Sequence, residues 1–220
     1  MIEKLPLYCV VGNIGSGKDT MADIFEKQGF VKVALADAMK RFCADVFEWD
    51  EANLWGESKL REVPDTRYSR RVISAKGYTV GTTYLTPRHA LQKLGTEWGR
   101  EQCDDKIWLE YFKRVYNKIA TMEYLYSGKE GLKKAPSKTC YAGVVVSDVR
   151  FVNEAIYMKE LGAQIIKVTR TSSNVHKGTH ASESEQDLVN PYVNYFIPND
   201  STLDDYITRV ERFVKLKCQK

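Results

Sequence analysis

Residues 9–20 read CVVGNIGSGKDT. The run LPLYCVV (5–11) leads into this stretch and is apolar enough for a buried strand. The amphipathic TMADIFEKQGF (20–30) follows it. Gly12 and Gly17 bracket four residues and Lys18 comes next, so the spacing matches a Walker A phosphate loop up to its last letter. There Asp19 stands where Ser or Thr is expected. Glycines let successive backbone N–H groups turn inward as an anion nest at the positive end of a helix. Lys18 would bridge the β- and γ-phosphates and follow the charge as it moves. The dinucleotide fingerprint G-x-G-x-x-G does not fit, because the glycines fall at 12, 15 and 17. Candidate ATP contacts are therefore Gly12, Asn13, Gly15, Ser16, Gly17, Lys18, Asp19 and Thr20. Lys18 is also a catalytic candidate. The plain alternative is a strand–turn–helix corner that needs glycine only for its turn.

Outward from this loop, five short β-like runs alternate with helical patterns. The runs are 5–11, 31–35, 141–147, 164–169 and 193–197, and the helical stretches are roughly 18–28, 37–48, 151–161 and 202–217. VVV and IIKV are too uniformly apolar for half-exposed strands and suit strands covered on both faces. Strands alternating with helices predict an α/β fold with a five-stranded parallel sheet and helices on both faces. The whole chain, 1–220, reads as a single domain. A long insertion (37–138) carries two helical patterns at about 87–103 and 105–126. Residues 56–85 and SGKEGLKKAPSK (127–138) read as loops. RTSSNVHKGTHASESEQ (170–186) is the candidate lid.

The bulk composition narrows the function. The chain has 220 residues, 43% hydrophobic and 28% charged, and a formal charge of +4. That is long enough for a full core. The basic excess is too small and too scattered to indicate nucleic-acid binding. No apolar run has membrane-spanning length and the N-terminus lacks a signal-peptide layout, so a cytoplasmic location is expected. Five scattered cysteines without a C-x-x-C pair read as reduced thiols.

Beyond the loop, several further segments carry a family resemblance. GSGKDTMAD, with GKDT in place of GKS or GKT, resembles the bacteriophage-type deoxynucleoside monophosphate kinases of the P-loop kinase superfamily. ALADAMKRF resembles that family's A-D-P-[LM]-K segment, and LTPRHALQKLGTEWGR its T-P-R-x-x-L-Q-x-x-G-T-E helix. VVVSDVRFVNEA resembles D-V-R-F-x-N-E, THASESE resembles H-x-S-E, and FIPNDSTLDDY the C-terminal N-D-G-S/T-L-x-x-L. These segments run in order along nearly the whole chain. Ala38 replaces a common proline and Ser201 a common glycine; neither touches the expected chemistry. The resemblance implies a P-loop kinase fold with a helical acceptor-binding insertion and a short lid.

Each further site residue has a functional reading and a plain one. Asp37 and Lys40 stand at the C-terminal end of the second strand, where ligands bind in open α/β sheets, and Lys40 would counter the acceptor phosphate. Asp37 could instead cap the next helix. Thr86-Pro87 is a good helix start. Leu91, Leu94 and Trp98 form its core stripe, while Arg88 and Gln92 share one face, suited to gripping a phosphate and reading a base. The resemblance implies acceptor recognition there; solvent exposure is the alternative. Asp148 ends GVVVS in the position of a Walker B carboxylate that holds magnesium directly or through water. Arg150 points to the same side. Both are also counted with the acceptor site, and Asn153 and Glu154 read equally well as helix caps.

Arg170 enters the lid, where an arginine would neutralise the transferring phosphoryl. Ser182 and Glu185 form a capping box. His180 and Glu183 have no role assignable from physics, and Glu183 is grouped with the acceptor site. His89 and His176 read as exposed. By resemblance Asn199 lies near the adenine of the donor. Ser201 or Thr202 caps the last helix, with Asp204 and Asp205 at its positive end.

Together these features predict transfer of the γ-phosphoryl of ATP to a deoxynucleoside 5′-monophosphate, giving the diphosphate, with Lys18, Arg150 and Arg170 as catalytic residues. Mg²⁺ is the expected cofactor, with Asp19 and Asp148 as its ligands. The expected partners are the two nucleotides alone, with no nucleic acid or membrane. The chain would be a monomer or homodimer, in the host cytoplasm if phage-encoded, with the aromatics Trp108, Tyr111, Phe112 and Tyr116 mainly in the core. Alternatives are a dephospho-coenzyme A or phosphomevalonate kinase and, more distantly, a nucleotide-binding switch or DNA-associated ATPase. NKIA (117–120) lacks the aspartate of a guanine-reading N-K-x-D.

Overall fold

In the computed structural model the apolar run before the glycine loop is strand β1 (Leu7–Val11), buried along its whole length. The structure describes residues 4–170 and 187–218. The chain divides into two compact units, Met1–Leu35 with Leu109–Lys220, and Ala36–Trp108.

In the first unit β1 is the middle strand of a five-stranded parallel sheet. Its neighbours are β2 (Phe30–Val33), β7 (Gly143–Val146), β8 (Gln164–Thr169) and β9 (Tyr195–Pro198), in the order β2-β7-β1-β8-β9. Tyr8 is level with Val145 on one side and Gln164 on the other. Every expected strand is present, within two residues of its expected ends. Buried valines and isoleucines on both pleat faces are what a doubly covered parallel sheet requires.

One face packs on α1 (Lys18–Lys27) and the C-terminal α7 (Leu203–Phe213) through Tyr8, Val10, Met21, Phe25, Tyr206 and Val210. Tyr8, Phe25 and Phe30 meet with ring centroids 5.0–5.8 Å apart. On other elements, α5 (Ile107–Ala120) buries Phe112, Val115, Tyr116 and Ile119, and α6 (Val152–Glu160) lies against β8. The Tyr116 hydroxyl donates to the Leu5 carbonyl at 2.5 Å. Phe112 and Tyr116 are thus core, as expected, while Trp108 and Tyr111 are half-buried. This is the expected α/β architecture, a parallel sheet covered by helices.

The expected helix over 105–126 ends early, and the expected loop over 127–138 is partly strand. A hairpin of β5 (Tyr124–Ser127) and β6 (Gly131–Lys134) occupies this stretch, with the Ser127 hydroxyl accepting the Glu130 amide at 3.1 Å. Its short strands alternate weakly and look like loop in one dimension.

The second unit holds α2 (Asp37–Phe47), α3 (Glu51–Trp55), a 3₁₀ turn (Ser58–Glu62) and a hairpin of β3 (Asp65–Ile73) and β4 (Thr79–Leu85). Then comes α4 (Pro87–Gln92), which continues in wide π-type turns over Lys93–Cys103. Residues 56–85, read as loop, are therefore largely a hairpin. Its strands are only half-covered, β3 carries Arg67, Arg70 and Arg71 and β4 is rich in threonine, so no uniform apolar run betrays them. Its root is tied by Asp65, which accepts from Trp49 Nε1 at 2.7 Å and from Arg67.

A small core of Cys43, Trp49, Leu54 and Ala90 takes in Leu91 and Leu94, but Trp98 is 47% exposed. A stripe spaced for 3.6 residues per turn drifts off its face once the turns widen. The buried positions there are Gly95 and Gly99, against Met39 and Trp108.

Candidate functional site

The glycine loop joins β1 to α1, so it lies at the C-terminal edge of the parallel sheet, where ligands bind in open α/β folds. Gly12 has φ 151°, Gly15 φ 75° and Gly17 φ 101°, all in the region that side-chain-bearing residues avoid. At Gly12 a Cβ would lie 2.6 Å from both Ser16 Oγ and the Val168 carbonyl, so only glycine lets the chain leave β1 there. The Ser16 amide donates to the Asn13 carbonyl at 3.1 Å, and Lys18 Nζ reaches the same carbonyl at 3.4 Å. Ser16 is 1% exposed, and its hydroxyl has no hydrogen-bond partner among the described residues. A buried orphan hydroxyl inside such a loop is a group waiting for an acceptor. Asp19 is exposed in the first turn of α1, where a carboxylate is favoured by the helix dipole, and Thr20 is half-buried beside it.

Two residues far along the chain hold this loop. Asn199, which follows β9 and is 6% exposed, donates from Nδ2 to the Ser16 carbonyl at 2.8 Å. Tyr206, fully buried on α7, donates its hydroxyl to the Gly17 carbonyl at 3.0 Å. Burial pushes the Tyr206 phenol far above its ordinary value, so it stays a donor at any working pH. Tyr206 lies within an ordinary amphipathic helix pattern and carried no sequence signal of a loop contact. The cap of that helix is Thr202, whose hydroxyl accepts the Asp205 amide at 3.2 Å.

Asp148 and Arg150 follow β7, the neighbour of β1, at the same sheet edge. Asp148 Oδ1 accepts the Leu35 amide at 2.8 Å, which ties the exits of β7 and β2 together. Glu154 is buried and accepts the amides of Arg150 (2.7 Å) and Phe151 (3.1 Å), so its role is to cap α6 and fix the turn that carries Arg150. Burial, with the Asp148 and Glu154 charges adding to it, pushes the Cys9 thiol up and keeps it neutral under this edge. Arg170 is exposed at the exit of β8. Residues 171–186, including His176, His180, Ser182, Glu183 and Glu185, lie outside the described residues.

Magnesium fits this donor set as an ion shared with phosphates, because it is usually held by one or two carboxylates together with water and substrate oxygens. Asp19 and Asp148 offer two carboxylates on the elements that leave β1 and β7. Among the described residues no group of three or more His, Cys, Asp or Glu forms an all-protein cage.

In the second unit Asp37 is 3% exposed in the first turn of α2, with Ala36 in the capping position, so Asp37 is not the cap. Its carboxylate accepts from Trp55 Nε1 at 3.2 Å and lies 4.0 Å from Lys40 Nζ, which sits 5.7 Å over the Trp55 ring. Sequence reasoning missed Trp55, since α3 is too short to show a periodicity. Thr86 caps α4 by accepting the His89 amide at 3.2 Å, and Pro87 takes the first helical position, as expected. Arg88 is ion-paired through Nε with Glu62 and donates from NH2 to Ser58 Oγ at 2.6 Å. Gln92, four residues on, is half-buried. His89 is half-buried too, and burial with the nearby Arg70 and Lys93 charges lowers its pKa.

Across known proteins, the solved structure of TT1252 from Thermus thermophilus aligns with a TM-score of 0.50 at 14% identity, over 99% of this chain and 100% of that one. A dephospho-CoA kinase from Campylobacter jejuni aligns at 0.48 and 12% identity, over 96% of each chain. A protein of Acanthamoeba polyphaga mimivirus named "Putative deoxynucleotide monophosphate kinase" is 29% identical over 202 residues, 91% of this chain and 92% of its own. The family described as deoxynucleotide monophosphate kinase matches residues 67–210, more than half the chain, from the β3–β4 hairpin into α7. This match places the chain in the deoxynucleotide monophosphate kinase family, and the protein is a nucleotide kinase.

Proposed function

We propose that this chain transfers the γ-phosphoryl group of ATP to a deoxynucleoside 5′-monophosphate, giving ADP and the deoxynucleoside diphosphate. The observation that carries the donor half is the glycine loop, with three glycines at positive φ around a buried Ser16 hydroxyl that has no partner among the described residues, and Lys18 folded back over them. That is a cradle for a polyphosphate and has no evident use for an uncharged ligand.

In the reaction an oxygen of the acceptor phosphate forms a bond to the γ-phosphorus while the bond from that phosphorus to the β,γ-bridging oxygen breaks. The electron pair leaves with ADP. The attacking phosphate is already anionic, so no strong base is needed. The protein's contribution is alignment and charge neutralisation. Lys18 follows the moving phosphoryl, and Arg150 and Arg170 offset charge on its oxygens. Asp19 and Asp148 would hold a magnesium ion that supplies further charge neutralisation at the β- and γ-phosphates. Lys40 and Arg88 counter the acceptor phosphate, Gln92 reads its base, and Asp37 orients Lys40. Glu183 and the lid (170–186) complete this reading, which assigns 37–138 to the acceptor and a cytoplasmic location to the enzyme.

The test is a screen of the purified protein with ATP, magnesium and each deoxy- and ribonucleoside monophosphate, reading ADP and diphosphate formation. Diphosphate from at least one deoxynucleotide, at higher kcat/KM than from its ribonucleotide, is the expected result. Turnover of dephospho-coenzyme A or phosphomevalonate with none of the monophosphates would overturn it.

A further inference from the structure

The asparagine after β9 and the tyrosine on α7 act on the phosphate loop in a way that changes what Asn199 is for. A trans peptide unit points its C=O and N–H in opposite directions. Asn199 Nδ2 holds the Ser16 carbonyl at 2.8 Å, so the Gly17 amide of that peptide plane is aimed away from Asn199. The Gly17 carbonyl takes the Tyr206 hydroxyl at 3.0 Å and the Met21 amide at 3.0 Å, so the Lys18 amide is aimed away from α7. The fit leaves no slack. A Cβ on Gly17 would lie 2.5 Å from Asn199 Nδ2 and 3.2 Å from the Tyr206 ring. Both side chains are buried, Asn199 at 6% and Tyr206 at 0% exposure.

We propose that Asn199 and Tyr206 are positioning residues that set the Ser16–Gly17 and Gly17–Lys18 peptide planes, so that Asn199 serves the donor's phosphates and not its base. This rests on the reading of the glycine loop as a triphosphate site. The C-terminal segment thereby becomes part of the phosphate site without touching the phosphates.

A ligand with phosphates and no base separates the two roles. Dissociation constants for ATP and for inorganic tripolyphosphate, each with magnesium, are measured by calorimetry on the full chain and on Asn199→Ala and Tyr206→Phe. The kcat/KM ratio for ATP over GTP is measured alongside. Losing one hydrogen bond to the loop should weaken ATP and tripolyphosphate equally, by about three- to tenfold in each variant, and leave the ATP:GTP ratio unchanged. Tyr206→Phe keeps the ring in the core, so it tests the idea even if Asn199→Ala is poorly folded. Weakening of ATP alone, or a shifted ATP:GTP ratio, would return Asn199 to base recognition and overturn the proposal. Lowered melting temperatures with unchanged affinities would reduce both residues to structural ones and overturn it too. If the wild-type chain binds neither compound, the triphosphate reading itself fails and takes this inference with it. Variants that match a binding wild type sink only the inference.

Discussion

The glycine loop and the α4 segment both present a cation suited to phosphate, yet they hold it in opposite ways. Lys18 rests on its own loop, 3.4 Å from the Asn13 carbonyl, in a geometry set by backbone angles that only glycine adopts freely. Arg88 is held by side chains from a separate 3₁₀ turn, with Glu62 on Nε and Ser58 Oγ on NH2. A site coded in the backbone is rigid and leaves a compact sequence motif. A site coded in side-chain pairs is exchangeable, since an anionic ligand has only to displace a carboxylate that is itself 58% exposed. On the proposed reading, the loop is preformed for the donor's polyphosphate, whereas the acceptor's phosphate would replace Glu62 on Arg88.

Four tests, using five substitutions, would break or sharpen this contrast. The largest effect is expected from Lys18→Ala, which should cut kcat by roughly 10²–10³-fold with an unchanged far-UV circular dichroism spectrum. Near-normal turnover would remove the loop from catalysis. Next comes a pair of glycine substitutions. Gly15→Ala meets open space and costs only the strain of a positive φ, on the order of 1–2 kcal/mol. Gly17→Ala carries similar strain and also collides with Asn199, so its melting temperature should fall several degrees further. Equal melting temperatures would show that the Asn199 contact yields easily.

Arg88→Ala should raise the acceptor KM about tenfold, the scale of a lost charged hydrogen bond, while the KM for ATP stays constant. Equal rises in both would deny that α4 serves the acceptor. The smallest effect concerns the hairpin root in the same unit. Hydrogen bonds from Arg67, and then from Trp49, hold the Asp65 carboxyl well below the usual carboxylate range, even though burial opposes them. A depressed folded-state pKa contributes stability above the unfolded value, and that stability is lost as pH falls through the folded one. The gap in melting temperature between wild type and Asp65→Asn should thus be greatest at neutral pH and narrow below the ordinary value of 3.8. A gap that widens in acid would contradict the assignment.

Much of the first unit was legible because its signals are local. VVV and IIKV can only be strands covered on both sides, and they stand where expected as β7 and β8. The Thr86-Pro87 start of α4 was equally plain, and the cap of α7, expected at Ser201 or Thr202, is Thr202, since capping involves residues three apart. The β3–β4 hairpin was not legible, because its strands are stabilised by each other and half-exposed, so they lack the uniform apolar signature. Trp98 was misplaced into the core for a related reason. Its stripe assumes a constant helical pitch, and the pitch widens at Lys93 under close packing at Gly95 and Gly99.

The roles of individual carboxylates and amides were harder still. Asp148 and Asn199 do follow strands, β7 and β9, whereas Asp37 opens α2. The partners of Asp148, Asp37 and Asn199 (Leu35, Trp55 and Ser16) lie 113, 18 and 183 positions away, and no spacing rule reaches that far.

By itself the sequence determined that a glycine loop follows a buried strand, that the strands are parallel and doubly covered, and which cations and carboxylates stand at their ends. Each of these follows from backbone preference or apolar periodicity within a few residues. Only the tertiary structure decided that Tyr206 and Asn199 brace the loop, that Asp148 ties β7 to β2, and that Arg88 is stored on Glu62. Those are hydrogen bonds between segments that folding alone brings together, and their energies depend on where the sheet places both partners.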